Sequence, residues 1–215
     1  MPLVSENPTY TVVYHAARWF ADLFGRVDIS GLENVPNTGC IIACNHQSFM
    51  DPPLVGCIIP KEIFFFARKT LFNNPLLGHI LTTCNTIPVD RDGGSDVAAF
   101  KKVFSVLKSG HSLLMFPEGT RSKDGNLQEA KAGVGLIACK TQVPILPVRV
   151  FGAEKLLPRG SSLPRPSARV SVIFRKPLFP AEFDPGAKHP ERFLEASRRV
   201  MEKIASAEEL PDVIL

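Results

Sequence analysis

Six short apolar runs, at residues 39–45, 63–67, 86–89, 112–116, 145–151 and 169–174, alternate along the chain with segments whose apolar residues recur at helical spacing. Each run has the length of a strand rather than of a buried helix. Strands that alternate with helices fold as α/β domains, so the expected architecture is a mostly parallel central sheet flanked by helices. Asn7 before Pro8 marks a helix start, and Val12, Val13, Ala16, Ala17, Phe20, Leu23 and Phe24 then give an N-terminal amphipathic helix that stops at Gly25. Residues 95–109 form the clearest later helix, with Ser95 as its cap and Val97, Phe100, Val103, Phe104 and Leu107 on its apolar face. Two more are expected at 130–141 and 190–206, and the prolines at 158, 164 and 166 make a loop of 156–167.

With 215 residues, 45% of them hydrophobic, the chain can bury one sizeable core. The reading is a helical segment at 1–30, facing a membrane or packing on the sheet, followed by one α/β domain at 31–215. A net charge of +4 is a mild bias toward anionic partners, and the basic residues lack the interleaved aromatics of a nucleic-acid strip, so no nucleic acid is expected. Cys40, Cys44, Cys57, Cys84 and Cys139 form no CxxC pair and sit mostly in apolar runs, which suits free thiols in a reduced compartment and offers no zinc site. The start MPLVSENPTY lacks a basic region followed by an apolar one, so a secretory leader is not expected. Residues 70–89 carry no Asp, Glu, Lys or Arg, but Asn73, Asn74, Pro75, Gly78, Asn85 and Pro88 argue against a spanning helix there.

Chemistry gathers where the apolar runs end. The first run passes into Asn45-His46-Gln47-Ser48-Phe49-Met50-Asp51 and a helix start at Pro52-Pro53. A carboxylate five residues after a histidine can hold one ring nitrogen across a tight turn and leave the other free to take a proton from an alcohol. On spacing alone, Asp51 as a helix cap with His46 bonded locally is an equal reading. The fourth run passes into Phe116-Pro117-Glu118-Gly119-Thr120-Arg121-Ser122, which sets a carboxylate, hydroxyls and a guanidinium beside one another. Arginine suits phosphate because its fork donates two parallel charge-assisted bonds, although a surface turn with a Glu–Arg pair has the same composition. Arg68-Lys69 and Arg91 follow two further runs, and a parallel sheet would bring these cations to one edge with His46. Singly, each is an ordinary solvated charge.

Together and in order, His46-x4-Asp51, the 68–91 segment, Phe116 to Ser122 and Val143-Pro144-Ile145-Leu146-Pro147-Val148 resemble the four motifs of the glycerophospholipid acyltransferases, specifically the 1-acyl-glycerol-3-phosphate acyltransferases. The resemblance covers about residues 31–152. It implies that His46 is the general base and Asp51 its partner. Glu118, Gly119, Thr120 and Arg121 would help bind the acceptor, with Arg91 and Lys69 on its phosphate. Pro144 and Pro147 are taken as structural. The implied reaction moves a fatty acyl group from acyl-CoA or acyl carrier protein, as co-substrate, to the free hydroxyl of a lysophospholipid, giving phosphatidic acid. It needs no metal and no other cofactor. No Ser sits in a GxSxG elbow, so direct transfer is expected rather than an acyl-enzyme. A lipid acceptor implies a membrane surface, here the cytoplasmic face with peripheral or monotopic attachment, and the N-terminal helix is the candidate contact. The same apolar stripe would equally serve to cover the sheet. The chain departs from the family pattern at Thr82 to Thr86, which leaves glycerol 3-phosphate, another lysophospholipid or an amino-lipid as alternative acceptors. Thioester hydrolysis and a non-catalytic lipid-binding adaptor are the other classes.

Overall fold

The computed structural model describes residues 5–90, 97–158, 161, 163–165 and 168–211. Helix α1 (Pro8–Phe24) starts as expected: the Asn7 side chain accepts from the Thr9 and Tyr10 N–H groups, and Pro8 supplies a first-turn residue that needs no partner. It runs directly into β1 (Gly25–Ser30), followed by β2 (Ile41–Cys44), α2 (Asp51–Ile58), β3 (Ile63–Arg68), α3 (Pro75–Thr83) and β4 (Thr86–Val89). Then come α4 (Val97–Lys108), β5 (Ser112–Met115), α5 (Ala132–Thr141), β6 (Ile145–Phe151), α6 (Ala153–Leu156), β7 (Ala168–Phe174), α7 (Pro180–Phe183) and α8 (Arg192–Ala205). The described strands make a seven-stranded sheet in the order β1-β7-β6-β2-β5-β3-β4. All neighbours are parallel except β6 and β7.

The mostly parallel α/β sheet is therefore as expected, and the reason is visible in β2. Ile42 and Cys44 enter one core with α1, α2 and α6, while Ile41 and Ala43 enter a second core with α4, α5 and α8. A strand buried on both faces reads as the unbroken apolar run IIAC. The helix on the far side is held close by Gly135, where a Cβ would lie 1.9 Å from the Phe193 carbonyl oxygen, and the Gly135 N–H donates to Ser197 Oγ at 2.8 Å.

Four of these elements lie outside the sequence reading: β1, α3 and the one-turn helices α6 and α7. β1 carries residues of the 1–30 segment into the sheet, beside β7; its sequence GRVDIS offers only Val27 and Ile29 as alternating apolar positions, too little to register as a strand. Within 70–89, a 3-10 turn (Lys69–Asn73), α3 and β4 replace any long helix. Among the described residues no helix is long and apolar enough to cross a membrane. The expected cap Ser95 lies outside the described residues.

All five cysteines are free, and four of them are buried. Burial pushes the Cys57 thiol up to about 12 and holds Cys40 and Cys44 above the ordinary thiol range. Between the unfolded and folded values the native state keeps protons that the unfolded chain releases, so stability falls as pH rises through that window. Each such thiol weakens the fold by up to about 1.4 kcal/mol per pH unit. The urea midpoint followed by circular dichroism is expected to decline from about pH 9 upward. A flat profile to about pH 11 would show that these thiols titrate alike in both states.

Candidate active site

His46 and the turn after Phe116 follow the C-terminal ends of β2 and β5, and Arg68 is the C-terminal residue of β3; the three strands are consecutive parallel neighbours. Strand direction alone therefore gathers three segments that are far apart in sequence onto one edge of the sheet.

The turn between β2 and α2 closes on a single oxygen. Asp51 Oδ2 lies 2.7 Å from His46 Nδ1 and accepts the N–H groups of Gln47 at 2.7 Å and Ser48 at 2.8 Å. The Asp51 side chain is fully buried, and that of His46 is 12% exposed. Asp51 is also the first residue of α2, so its charge lies at the positive end of the helix. A carboxylate bound in this way fixes the imidazole with its proton on Nδ1, which leaves Nε2 as an acceptor. The ring stacks on Phe116 with centroids 3.9 Å apart and planes at 17°.

A second set of bonds holds the backbone that carries this pair. Glu118 Oε1 accepts the His46 N–H at 2.9 Å and Oε2 accepts the Gln128 N–H at 3.3 Å, while the His46 carbonyl accepts from Ser122 N–H at 2.7 Å. Asn45 grips β6 through Nδ2 to the Val150 carbonyl at 2.9 Å and through Oδ1 from the Val150 N–H at 2.7 Å. Burial raises the Glu118 carboxyl above its usual range, opposed by the N–H groups it accepts and by the Arg149 guanidinium. Glu118→Ala would leave two N–H groups without their acceptor and is expected to cost about 2–4 kcal/mol in urea unfolding. A cost near zero would mean that the turn holds without the carboxylate.

Beside His46 opens a groove of ≈1670 Å³ whose walls include α1, α2, α3, α4, α5, β3, β4 and the turn Lys69–Asn73. Its interior includes Tyr14, Cys57, Phe65 and Val103, and its polar side includes Thr120, Arg121, Lys123 and Lys131. Gly119, at φ +70°, turns the chain tightly, and its N–H donates to the Phe116 carbonyl at 3.0 Å. A Cβ at Gly119 would lie 3.0 Å from Lys131 Cδ. The Arg121 guanidinium lies 3.5 Å from the centroid of the Phe49 ring, a cation–π contact that keeps a planar donor at the rim.

Of the residues expected from sequence, His46, Asp51, Gly119, Thr120 and Arg121 meet here. Glu118 is 1% exposed and lies beneath the groove, its carboxylate engaged with main-chain N–H groups. Arg68 lines the groove, whereas its neighbour Lys69 is exposed outside it. Arg91 lies outside the described residues. Three groups escaped the sequence reading. Lys123 and Lys131 reach the groove through a loop path that spacing does not reveal. Arg149 had a signal, a lone charge in the apolar strand ILPVRVF. Its guanidinium lies 4.8 Å from the Phe151 ring centroid, and burial lowers its pKa against the pull of Glu118.

The family model described as Acyltransferase matches residues 26–151. A chloroplastic 1-acyl-sn-glycerol-3-phosphate acyltransferase of Brassica napus is 38% identical over 165 residues, which are 75% of this chain and 47% of the relative. The enzyme of that name from Bacillus subtilis (strain 168) is 29% identical over 179 residues, covering 81% of this chain and 84% of the relative. This chain spans about half the length of the plant relatives it matches. The crystal structure of the 1-acyl-sn-glycerophosphate (LPA) acyltransferase PlsC from Thermotoga maritima superposes with a TM-score of 0.71 at 30% sequence identity, covering 90% of this chain and 77% of that one.

Proposed function

Because the chain belongs to the acyltransferase family, we propose that it transfers a fatty acyl group from a thioester carrier to the free hydroxyl of 1-acyl-glycerol 3-phosphate, giving phosphatidic acid. The observation that carries this reading is the 2.7 Å contact of His46 Nδ1 with buried Asp51, on the wall of a groove that joins an apolar interior to a cationic rim. Acyl chains match the interior, and a phosphate monoester matches Arg121 with Lys123 and Lys131 nearby. In this mechanism His46 Nε2 takes the hydroxyl proton as the oxygen attacks the thioester carbonyl. Asp51 steadies the imidazolium, which then returns the proton to the departing thiolate. The oxyanion needs N–H donors. The first turn of α5 has no side-chain cap, and its Gly133 and Val134 line the groove, so that turn supplies N–H groups without a partner inside the helix. The route asks for no metal and no cofactor besides acyl-CoA or acyl carrier protein.

A lipid acceptor implies a membrane surface, and we assign the protein to the cytoplasmic face in peripheral or monotopic attachment. Helix α1 supports this: Tyr10 and Ala21 are buried, yet Val12, Trp19 and Leu23 are 67%, 65% and 55% exposed, giving the helix an apolar outer stripe as well. The test is to supply the purified chain with labelled acyl-CoA or acyl carrier protein and 1-acyl-glycerol 3-phosphate in vesicles. Phosphatidic acid is the expected product, and the preferred carrier identifies the donor. Release of free fatty acid without acceptor would make it a thioesterase, and no turnover with any thioester or lysophospholipid would leave a lipid-binding adaptor.

A further inference from the structure

Helix α3 has the composition of a core helix and the position of a surface one. Its sequence is PLLGHILTT, and only Gly78 is buried. Leu76 is 73% exposed, Leu77 38% and Ile80 36%, and Leu71 on the preceding 3-10 turn is 39% exposed. Gly78 explains the placement. A Cβ there would lie 2.6 Å from the Phe72 carbonyl oxygen, so the helix seats on the backbone of its own preceding turn; Leu81 faces the groove, and Leu76 and Leu77 are left facing solvent. Single exposed leucines are ordinary, but three leucines and an isoleucine on one turn-helix unit form a patch that calls for a partner.

Charge and position limit what that partner is. From Thr70 to Val89 there is no Asp, Glu, Lys or Arg, and exposed Arg68 and Lys69 stand immediately before the patch. Leu71 and Ile80 also line the groove, so the patch continues the groove wall outward. Apolar side chains next to cations, with no carboxylate among them, suit acyl chains beneath anionic headgroups. An acidic carrier protein would instead call for cations spread across the contact. We infer that the unit formed by the turn Lys69–Asn73 and helix α3 is a membrane-docking edge, separate from α1, that seats in the bilayer surface and turns the groove mouth toward the lipid phase. This inference rests on the reading of the groove as a lipid site.

The test is co-sedimentation of the full chain with phosphatidylcholine vesicles and with vesicles that also contain phosphatidylglycerol. Leu76 and Leu77 do not line the groove, and both are solvent-exposed, so the double variant Leu76→Asp, Leu77→Asp is expected to keep its melting temperature. Its vesicle affinity should fall by ~10-fold or more, the scale for withdrawing two leucines from an apolar phase. Phe179→Asp, at a 57%-exposed apolar site beside α7, should bind as the parent does. Undiminished binding of the double variant would overturn the inference, as would an equal loss in both variants. A concentration-dependent dimer in light scattering, abolished by the double variant, would assign the patch to a second copy of the chain and overturn it too. Binding is read without turnover. A chain that docks through α3 yet forms no phosphatidic acid would refute the proposed reaction alone, and one that forms it with the double variant fully vesicle-bound would refute this inference alone.

Discussion

His46→Ala is expected to lower acyl transfer by ~100-fold or more, the scale for removing a general base, while leaving the protein folded. The second half of that expectation comes from where the stabilising bonds of residue 46 originate. Its N–H donates to Glu118 and its carbonyl accepts from Ser122 N–H, and alanine keeps both. The variant loses the stacking on Phe116 and one of three donors to Asp51, whose Oδ2 retains the Gln47 and Ser48 N–H groups. A cost of about 1–2 kcal/mol follows from one lost hydrogen bond. Measured as phosphatidic acid formation beside a thermal melt, the variant should be nearly inactive and nearly as stable as the parent. Activity equal to the parent would require another base, and inactivity that merely tracks unfolding would give no support to a catalytic role.

Asp51 permits charge and geometry to be separated. In Asp51→Asn, two main-chain N–H groups face the position of Oδ2, so the amide oxygen is held there and its NH2 is turned away. That oxygen still accepts from His46 Nδ1, but the negative charge beside the developing imidazolium is gone. A charge-assisted bond is roughly twice as strong as a neutral one, and the expected result is a ~100-fold loss of kcat/KM with little change in melting temperature. Asp51→Ala removes the acceptor altogether. Because the site is fully buried, two N–H groups are then stranded and the turn loses its anchor, so both activity and about 2–5 kcal/mol of stability should go. If the Asn variant is as active as the parent, the carboxylate charge has no part in catalysis. If the Ala variant is as stable as the parent, the turn is held by other bonds.

Glu118 marks the boundary between what motif reading and geometry can say. Its place beside Gly119, Thr120 and Arg121 grouped it with the residues expected to touch the acceptor. The structure turns those three toward the groove and turns Glu118 inward, to the main chain of the histidine segment 72 residues away. Neighbours in sequence point different ways across a tight turn, so adjacency in a motif does not specify a shared surface. Arg68 and Lys69 make the same point: consecutive cations, of which the first lines the groove and the second does not. Missing β1 and α3 has another cause. One is an edge strand with two apolar positions, and the other is a helix in which only Gly78 is buried, so neither carries the periodicity that burial imposes.

The sequence by itself determined the α/β class, the six principal strands and the start of α1, and it offered His46 with Asp51 as a pair that spacing left level with a helix cap until the 2.7 Å contact decided it. These follow from local order: apolar runs of strand length, Asn7 before Pro8, and a five-residue spacing across one turn. Tertiary structure decided which charges meet. Arg68, Arg121, Lys123 and Lys131 share a groove with His46, and Arg149 lies close enough to influence Glu118, because parallel strands deliver their C-terminal ends to one edge. The order of strands within the sheet, which fixes those meetings, is set by the packing of helices on its two faces and leaves no mark at any single position in the chain.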